Sequence, residues 1–427
     1  MHTLIWWTRK SFFIVVMATG ALMCSFSVTW ADDAAVLSKG VFQLQADNHF
    51  YFRTEDRFNR DGDKEPYATP FNTTINQSVF PGLAAFTGAP FNVPAPTAGR
   101  TVTDMDWLLV RSVYQVAYGL TDQLTIGARL PWIWVKNKVN FDFDSSGANV
   151  NIGLNPAFVN PGTNPLGFAP LIVPGTVRVN TELAQQALET LGFKRLKDFE
   201  RRGIEDLEIG GRFQYFRNDM WRLAFTGGAR LPTGRKDDPE NLADVAFGSG
   251  AYAVLFRLHQ DLTLFQEDGT LKNFGFLVPG AVTVNTSFHY DLVLPDHQRL
   301  RVTSINDPLG GEFDNVKRNL GDIFRAEFSP KVGLVKGLSF FGIYQYTRHF
   351  KDKFSGDKNL PYDDIAFGSN YNEHIYFVGL TFTTLPWVIE DSFPVPIVAT
   401  LSYRDRFASN GFLWVANYLG LNLSVYF

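Results

Sequence analysis

Seven arginines occupy alternate positions in segments whose remaining positions are largely apolar: Arg111, Arg129, Arg212, Arg222, Arg230, Arg325 and Arg404. Asp206, Glu208 and Glu327 share that polar parity. Charges facing one another across a polar interior can do two things. They can make a transverse field that orients a permeating solute, or they can pair and brace a narrow wall. Bracing is the commoner outcome, and an excess of guanidinium would still lean permeation towards anions, carboxylated aromatics among them.

Other chemistry has thinner support. His49, His259, His289, His297, His349 and His374 show no metal-ligand spacing. Asn59-Arg-Asp-Gly-Asp63 has the flavour of a calcium loop, but Arg57 sits at the first ligand position, so the segment reads as an acidic loop. No metal, cofactor or catalytic group is expected. The single cysteine, Cys24, lies in an N-terminal segment with the marks of a secretory signal: Arg9 and Lys10, an apolar run over 11–28, then Thr29-Trp30-Ala31 before Asp32. Residues 1–31 are expected to be removed, leaving 32–427 without any thiol.

The elements that must position those charges are strands. Leu419, Leu421, Leu423, Val425 and Phe427 alternate with Tyr418, Gly420, Asn422, Ser424 and Tyr426, and the chain stops on an aromatic. Similar period-2 segments recur at 41–53, 104–118, 124–135, 204–216, 221–233, 244–258, 272–290, 322–334, 338–350, 373–385, 394–407 and 415–427. In the third, Leu124, Ile126, Ala128, Leu130, Trp132 and Trp134 point one way and Thr125, Gly127, Arg129 and Pro131 the other. Aromatics are 15% of the chain, yet mean hydropathy is -0.07 and no run of about 20 apolar residues follows the signal, which excludes a helical membrane protein. A formal net charge of -4 argues against nucleic acid as a partner.

Connections alternate in length. Those at 119–123, 217–220, 335–337 and 386–393 are short, whereas 54–103, 136–203, 291–321 and 351–372 are long, with shorter ones at 234–243 and 408–416. Short turns on one side and long loops on the other are the pattern of an outer-membrane barrel with periplasmic turns and extracellular loops. The expected fold is therefore all-β: a closed antiparallel transmembrane barrel of about 12 strands, with 14 as the alternative. The connection at 259–271 is too long for its side and marks where a strand is most easily miscounted. Trp221 and Trp387 fall on the turn side, Trp107, Trp132, Trp134 and Trp414 on the loop side, as aromatic belts do.

Two repeats accompany the strands. Gly127-Ala-Arg-Leu-Pro131 recurs as Gly228-Ala-Arg-Leu-Pro232, and Asp244-Val-Ala-Phe-Gly-Ser-Gly250 recurs as Asp364-Ile-Ala-Phe-Gly-Ser-Asn370, the latter expected just before or within descending strands. The loop 136–203 is too long to be passive. Its segment 181–191 puts Leu183, Ala187, Leu188 and Leu191 on one helical face, so a short helix is expected, either constricting the mouth or lying over the rim. Lys194, Arg195, Lys197, Arg201 and Arg202 could meet lipopolysaccharide phosphates. The acids Asp104, Asp106, Asp206, Asp244, Asp322 and Asp364 could line a rim, bridged to lipopolysaccharide or merely solvated.

Tyr118-Gly-Leu-Thr-Asp122 with Leu124-Thr-Ile-Gly127, Gly203-Ile-Glu-Asp-Leu-Glu-Ile-Gly210 and Arg230-Leu-Pro-Thr-Gly234 resemble a family of outer-membrane transporters encoded with aromatic-degradation genes, the phenol meta-pathway type. The resemblance spans about 104–260 and the final strand. It implies a β-barrel, uptake of small hydrophobic or aromatic compounds, and Phe427 as part of the signal read by the barrel-assembly machinery. Long-chain fatty-acid transporters carry Asn-Pro-Ala in an N-terminal plug, whereas Asn155-Pro-Ala157 here falls in a loop. Outer-membrane phospholipase A needs a His beside a Ser; Ser409-Asn-Gly411 matches part of its motif, but Phe407 stands where the His belongs. The expected function is a channel for passive uptake of small solutes in the outer membrane. The alternatives are a plugged barrel whose loops act as an adhesin, and, third, a barrel-embedded hydrolase.

Overall fold

A computed structural model describes residues 33–427 apart from 78–80, 89–91, 150–151, 161–166, 172, 266–278 and 305–306, so residues 1–31, expected to be a signal segment, lie outside the described residues. Twelve antiparallel strands close on themselves. They are β1 (Phe42–Tyr51), β2 (Thr97–Thr121), β3 (Leu124–Asp144), β4 (Leu207–Arg217), β5 (Trp221–Leu231) and β6 (Ala253–Phe265), followed by β7 (Val282–Val293), β8 (Ile323–Val335), β9 (Leu338–His349), β10 (Tyr371–Thr383), β11 (Ile397–Ser409) and β12 (Tyr418–Tyr426). Each pairs with its sequence neighbours, and β1 pairs with both β2 and β12, so no edge is left. Two short strands, Thr74–Asn76 and Phe199–Ile204, extend the same sheet without entering the closure.

Closure is what lipid demands, because an unpaired edge would leave backbone donors and acceptors without partners in hydrocarbon. Alternate positions then face lipid. Phe213, Phe225, Phe256, Leu258, Phe288, Phe328, Leu401 and Leu421 are exposed large apolar side chains spread around the wall. The turns 122–123, 218–220, 336–337 and 384–396 join the strands at the periplasmic end, where β6 ends and β7 begins. The loops 52–96, 145–206, 232–252, 294–322, 350–370 and 410–417 join them at the extracellular end. This is an outer-membrane barrel. Among the described residues no helix is long and apolar enough to cross a membrane.

Three sequence expectations need correction. The sixth and seventh strands run over Ala253–Phe265 and Val282–Val293, not 244–258 and 272–290. Residues 259–265, read as a turn, alternate Leu258, Gln260, Leu262 and Leu264 outward with His259, Asp261 and Thr263 inward. The polar members resemble turn residues only when the aqueous interior of a barrel is overlooked. Residues 244–250 therefore lie in a loop just before β6, with Val245 and Phe247 packed into the mouth, while 364–370 lie just before β10, as expected.

The second hairpin is also longer than its alternation suggested. At 25 and 21 residues, β2 and β3 exceed the roughly 10 needed to cross a bilayer, so they rise above it as a paired tongue. Against that tongue lies helix α1 (Thr181–Thr190). The Asn180 side chain caps its start by accepting from Leu183 N at 2.9 Å, and Gly192, at φ +83°, ends it in the left-handed region.

Candidate functional site: a barrel lumen closed at both ends

The lumen has three storeys. The uppermost is apolar. Tyr51, Leu109, Ile133, Val135, Ile343, Ile375, Phe377 and Tyr418 on the inner wall pack with loop residues Tyr67, Phe71, Phe193, Leu196, Leu242, Val245 and Phe247. Trp107 and Trp414 belong to this cork, with ring centroids 4.6 Å apart and Tyr67 edge-on to both. Both indoles are buried, so these two do not sit in the lipid-facing belt as the sequence reading had them. On β9 to β11, Tyr344, Tyr346, Tyr376, Tyr403 and Phe407 form an aromatic cluster around His374.

α1 itself lies over the rim. Its Ala184, Ala187, Leu188 and Leu191 face Phe141 and Phe143 of the tongue, with Phe71, Ile75 and Phe168 closing the other side of a cavity of about 70 Å³. Polar groups barely touch this space. It lies beside the cork, sharing Phe71, Leu188, Leu196 and Leu242 with it.

The middle storey holds the charges. Glu208 is its hub. Oε1 accepts from Arg230 Nε and Nη2 at 3.1 and 2.9 Å, and Oε2 accepts from Arg257 Nη2 at 3.0 Å and Arg129 Nη1 at 3.3 Å. Arg230 Nη2 also donates to Asp291 at 2.6 Å. The repeated Gly-Ala-Arg-Leu-Pro explains the arrangement. Antiparallel register sets Arg129 opposite Glu208 and Glu208 opposite Arg230, while two residues further down Gly127 meets Gly210 and Gly210 meets Gly228. The repeat thus places one arginine on each side of a carboxylate, above a row that adds no side chain to the lumen.

Other inward charges stand beside the cork, opposite Ile133 and Ile375: Arg111 forms a two-pronged pair with Glu205 at 2.8 Å, and Arg406 pairs with Glu373 at 2.8 Å. Arg404 donates to Ala416 O at 2.7 Å and lies over the Tyr418 ring. Arg325 approaches His289 Nδ1 at 3.4 Å, and Glu327 accepts from Ser287 Oγ at 3.4 Å. Asp206 is not in the lumen. It precedes β4 and accepts from Gly234 N at 3.0 Å and from Ser249 N at 2.9 Å, tying two loop segments together.

The lowest storey is a strap. Residues 33–37 run across the inside of the periplasmic end: Ala34 N donates to Asp261 at 2.9 Å, Gln214 Nε2 to Ala34 O at 2.7 Å, Arg212 Nη1 to Asp33 O at 2.8 Å, and Leu37 N to Thr125 Oγ1 at 2.7 Å. Arg222 stands 3.4 Å from Asp261 at the same level. Gly119 is required where the strap turns into β1, because a Cβ there would lie 2.0 Å from Ser38 O.

Sequence reasoning missed Arg257, His259, Asp261, His289, Asp291, Glu373 and Arg406, all inward on their strands. Placing β6 and β7 at 253–265 and 282–293 would have recovered the first five by alternation alone. Other candidates resolve into local structure. Asn59 Oδ1 accepts from Asp61 N and Asp63 N at 2.9 Å, closing its own turn. Ser409 Oγ donates to Asn372 O and accepts from Gly411 N, with no imidazole bonded to it among the described residues. Lys194 pairs with Asp238, and Arg195 with Glu182 and Glu189. Of the rim acids, Asp106 pairs with Arg53, Asp244 with Arg235, and Asp322 accepts from Tyr290 Oη.

Fold and lumen together define an outer-membrane β-barrel of twelve strands with an inward strap and folded-in loops. The solved structure of the COG4313 outer membrane channel from Pseudomonas putida F1 shares this fold. It aligns over 94% of this chain and all of its own at 11% identity, with a TM-score of 0.50. Looser likenesses include the translocator domain of autotransporter NalP from Neisseria meningitidis, at 10% identity over 92% of this chain and 89% of that one with a TM-score of 0.34. The CymD monoaromatic hydrocarbon channel aligns at 9% identity over 91% of this chain and 88% of its own, with a TM-score of 0.31. No protein-family model and no curated protein matches the chain.

Proposed function

We propose that the protein is a passive diffusion channel of the outer membrane for small solutes, with hydrophobic and aromatic compounds as its preferred cargo. The observation that carries this reading is the order of surfaces along the barrel axis. An apolar cavity and cork lie outside, and a charged, largely paired middle storey and a thin peptide strap lie beneath. A compound with an apolar ring can be taken out of water by the loops, where burial is favourable by roughly 25 cal/mol per Å² of apolar surface, before it meets the polar wall. A small hydrophilic solute gains nothing at the same entrance. The neighbour of like fold is described as a channel, which agrees with this reading.

Phe427 pairs its backbone with Phe42 at the seam between β12 and β1, the place a closing signal would occupy. We assign it to the barrel-assembly machinery on that position. The burial of Arg111, Arg404 and Arg406 favours a second reading, a plugged barrel that displays its loops.

Flux separates the two. In proteoliposomes the protein should pass toluene-sized aromatics faster than sugars of similar mass. Ala187→Phe, which fills the loop cavity, should slow the aromatic flux by about tenfold, equivalent to about 1.4 kcal/mol of lost binding, and leave the residual sugar leak alone. Equal rates for both solute classes, or no flux at all through correctly folded protein, would favour the plugged barrel.

A further inference from the structure

Arg325 is a lumen cation that no carboxylate among the described residues pairs with. Its side chain is buried at 2% exposure on the inner face of β8. Nη1 makes the long contact to His289, Nε and Nη2 have no hydrogen-bond partner among the described residues, and no carboxylate among them forms an ion pair with it. Its lumen neighbours Arg129, Arg230, Arg257 and Arg406 each hold a carboxylate. Glu327, two residues along the same face, is engaged by Ser287 instead.

A guanidinium does not shed its proton in a protein, so it stays charged here. Burying it without a partner is strongly unfavourable. The atoms left over define what would relieve that cost. Nε and Nη2 form the side-on fork that matches the two oxygens of a carboxylate. Thr347, directly opposite Arg325 on β9, accepts from Gln345 Nε2 at 3.2 Å, which leaves its own hydroxyl proton to donate into the same space.

We propose that Arg325, with Thr347 and His289 beside it, forms an anion station in the lumen that takes the carboxylate of a small aromatic acid, a halide being the other source of the same charge. The inference deepens the channel reading and rests on it for its biological meaning. An aromatic acid would leave the apolar cork ring-last, with its carboxylate handed to Arg325. The station lies one level below Ile323 and His349, which face each other at the top of β8 and β9.

The test uses the full chain, folded in detergent in a buffer of bulky anions. Binding of 4-fluorobenzoate is followed by fluorine NMR and by the shift in thermal unfolding that a native-state ligand produces. The wild type should bind and be stabilised. Arg325→Gln should lose at least about tenfold in affinity and, without ligand, should unfold at the same temperature as the wild type or higher, because an unrelieved charge has been removed. Arg325→Lys, which keeps the charge and loses the fork, should bind weakly. Undiminished binding by Arg325→Gln overturns the proposal, and so does a large loss of ligand-free stability, which would make Arg325 a structural brace. Stabilisation by chloride with none by fluorobenzoate assigns the station to a halide.

A variant-free check is diffraction from crystals grown with 4-iodobenzoate. Carboxylate density at Arg325 is the expected result, and density elsewhere, or none, overturns the assignment. Planar-bilayer recordings keep the two claims apart: a silent protein that still binds fluorobenzoate at Arg325 would remove the channel reading and leave the station standing.

Discussion

Deleting residues 33–37 should raise the conductance of the barrel several-fold while leaving its fold intact. The strap is held only by polar contacts to the inner wall, through Asp261, Gln214, Arg212 and Thr125, and it contributes no strand to the closure. These are hydrogen bonds worth about 1–3 kcal/mol each net in exchange with water, Arg212 also reaching Ala35 O at 3.3 Å and Asp33 Oδ1 at 3.6 Å, so the set holds the strap without making it a strand of the barrel. Removing it frees Arg212, Arg222 and Asp261 to line an open periplasmic mouth. Single-channel recording of the deletion variant checks this, with heat-modifiable gel mobility confirming the fold. Unchanged conductance would place the constriction elsewhere, at the apolar cork.

The second large effect concerns Glu208. Glu208→Gln should lower unfolding stability by about 3–5 kcal/mol, the range for removing one partner from a buried charge network. Three guanidiniums converge on this carboxylate, and without it Arg129, Arg230 and Arg257 repel one another at close range where they are largely buried. Asp291 can compensate Arg230 alone. Adding Arg257→Met to Glu208→Gln should recover part of the loss, because it removes one of the stranded charges. Urea titration of heat-modifiable mobility measures both variants. A Glu208→Gln protein as stable as the wild type would mean that water reaches this level and screens it.

How much of this was legible beforehand depends on which signal each element carried. β3, β5 and β8 to β12 alternate cleanly because one face meets lipid and the other water, and that contrast is written residue by residue. Closure also followed, from short and long connections taken in turn. The failure at β6 and β7 had a physical cause. In β6 the inward His259 and Asp261 look like turn chemistry, while Leu242, Val245 and Phe247 in the loop look like strand. Hydrophobicity alone cannot distinguish a side chain that faces lipid from one that corks a mouth.

The site was half legible. Inward arginines could be read from parity, and the repeat at 127–131 and 228–232 marked the two that flank Glu208. Their partners could not be read, since pairing depends on register across strands distant in sequence, such as Arg230 with Asp291. Arg111 illustrates the limit: its partner Glu205 comes from the end of a long loop, and the residue beside it, Asp206, which parity put in the lumen, is buried holding Gly234 and Ser249 together. The strap was invisible for a related reason, because residues 33–37 carry no periodicity, only backbone groups that meet side chains of the wall.

The most direct test of the account is a planar-bilayer recording of the folded protein, residues 32–427, with and without small aromatic acids. A channel gated by a cork and a strap predicts discrete conductance steps of small amplitude that aromatic acids block from the extracellular side. Silent insertion of a correctly folded barrel, unaltered when the strap is deleted, would contradict it and turn attention to the loops as a binding surface.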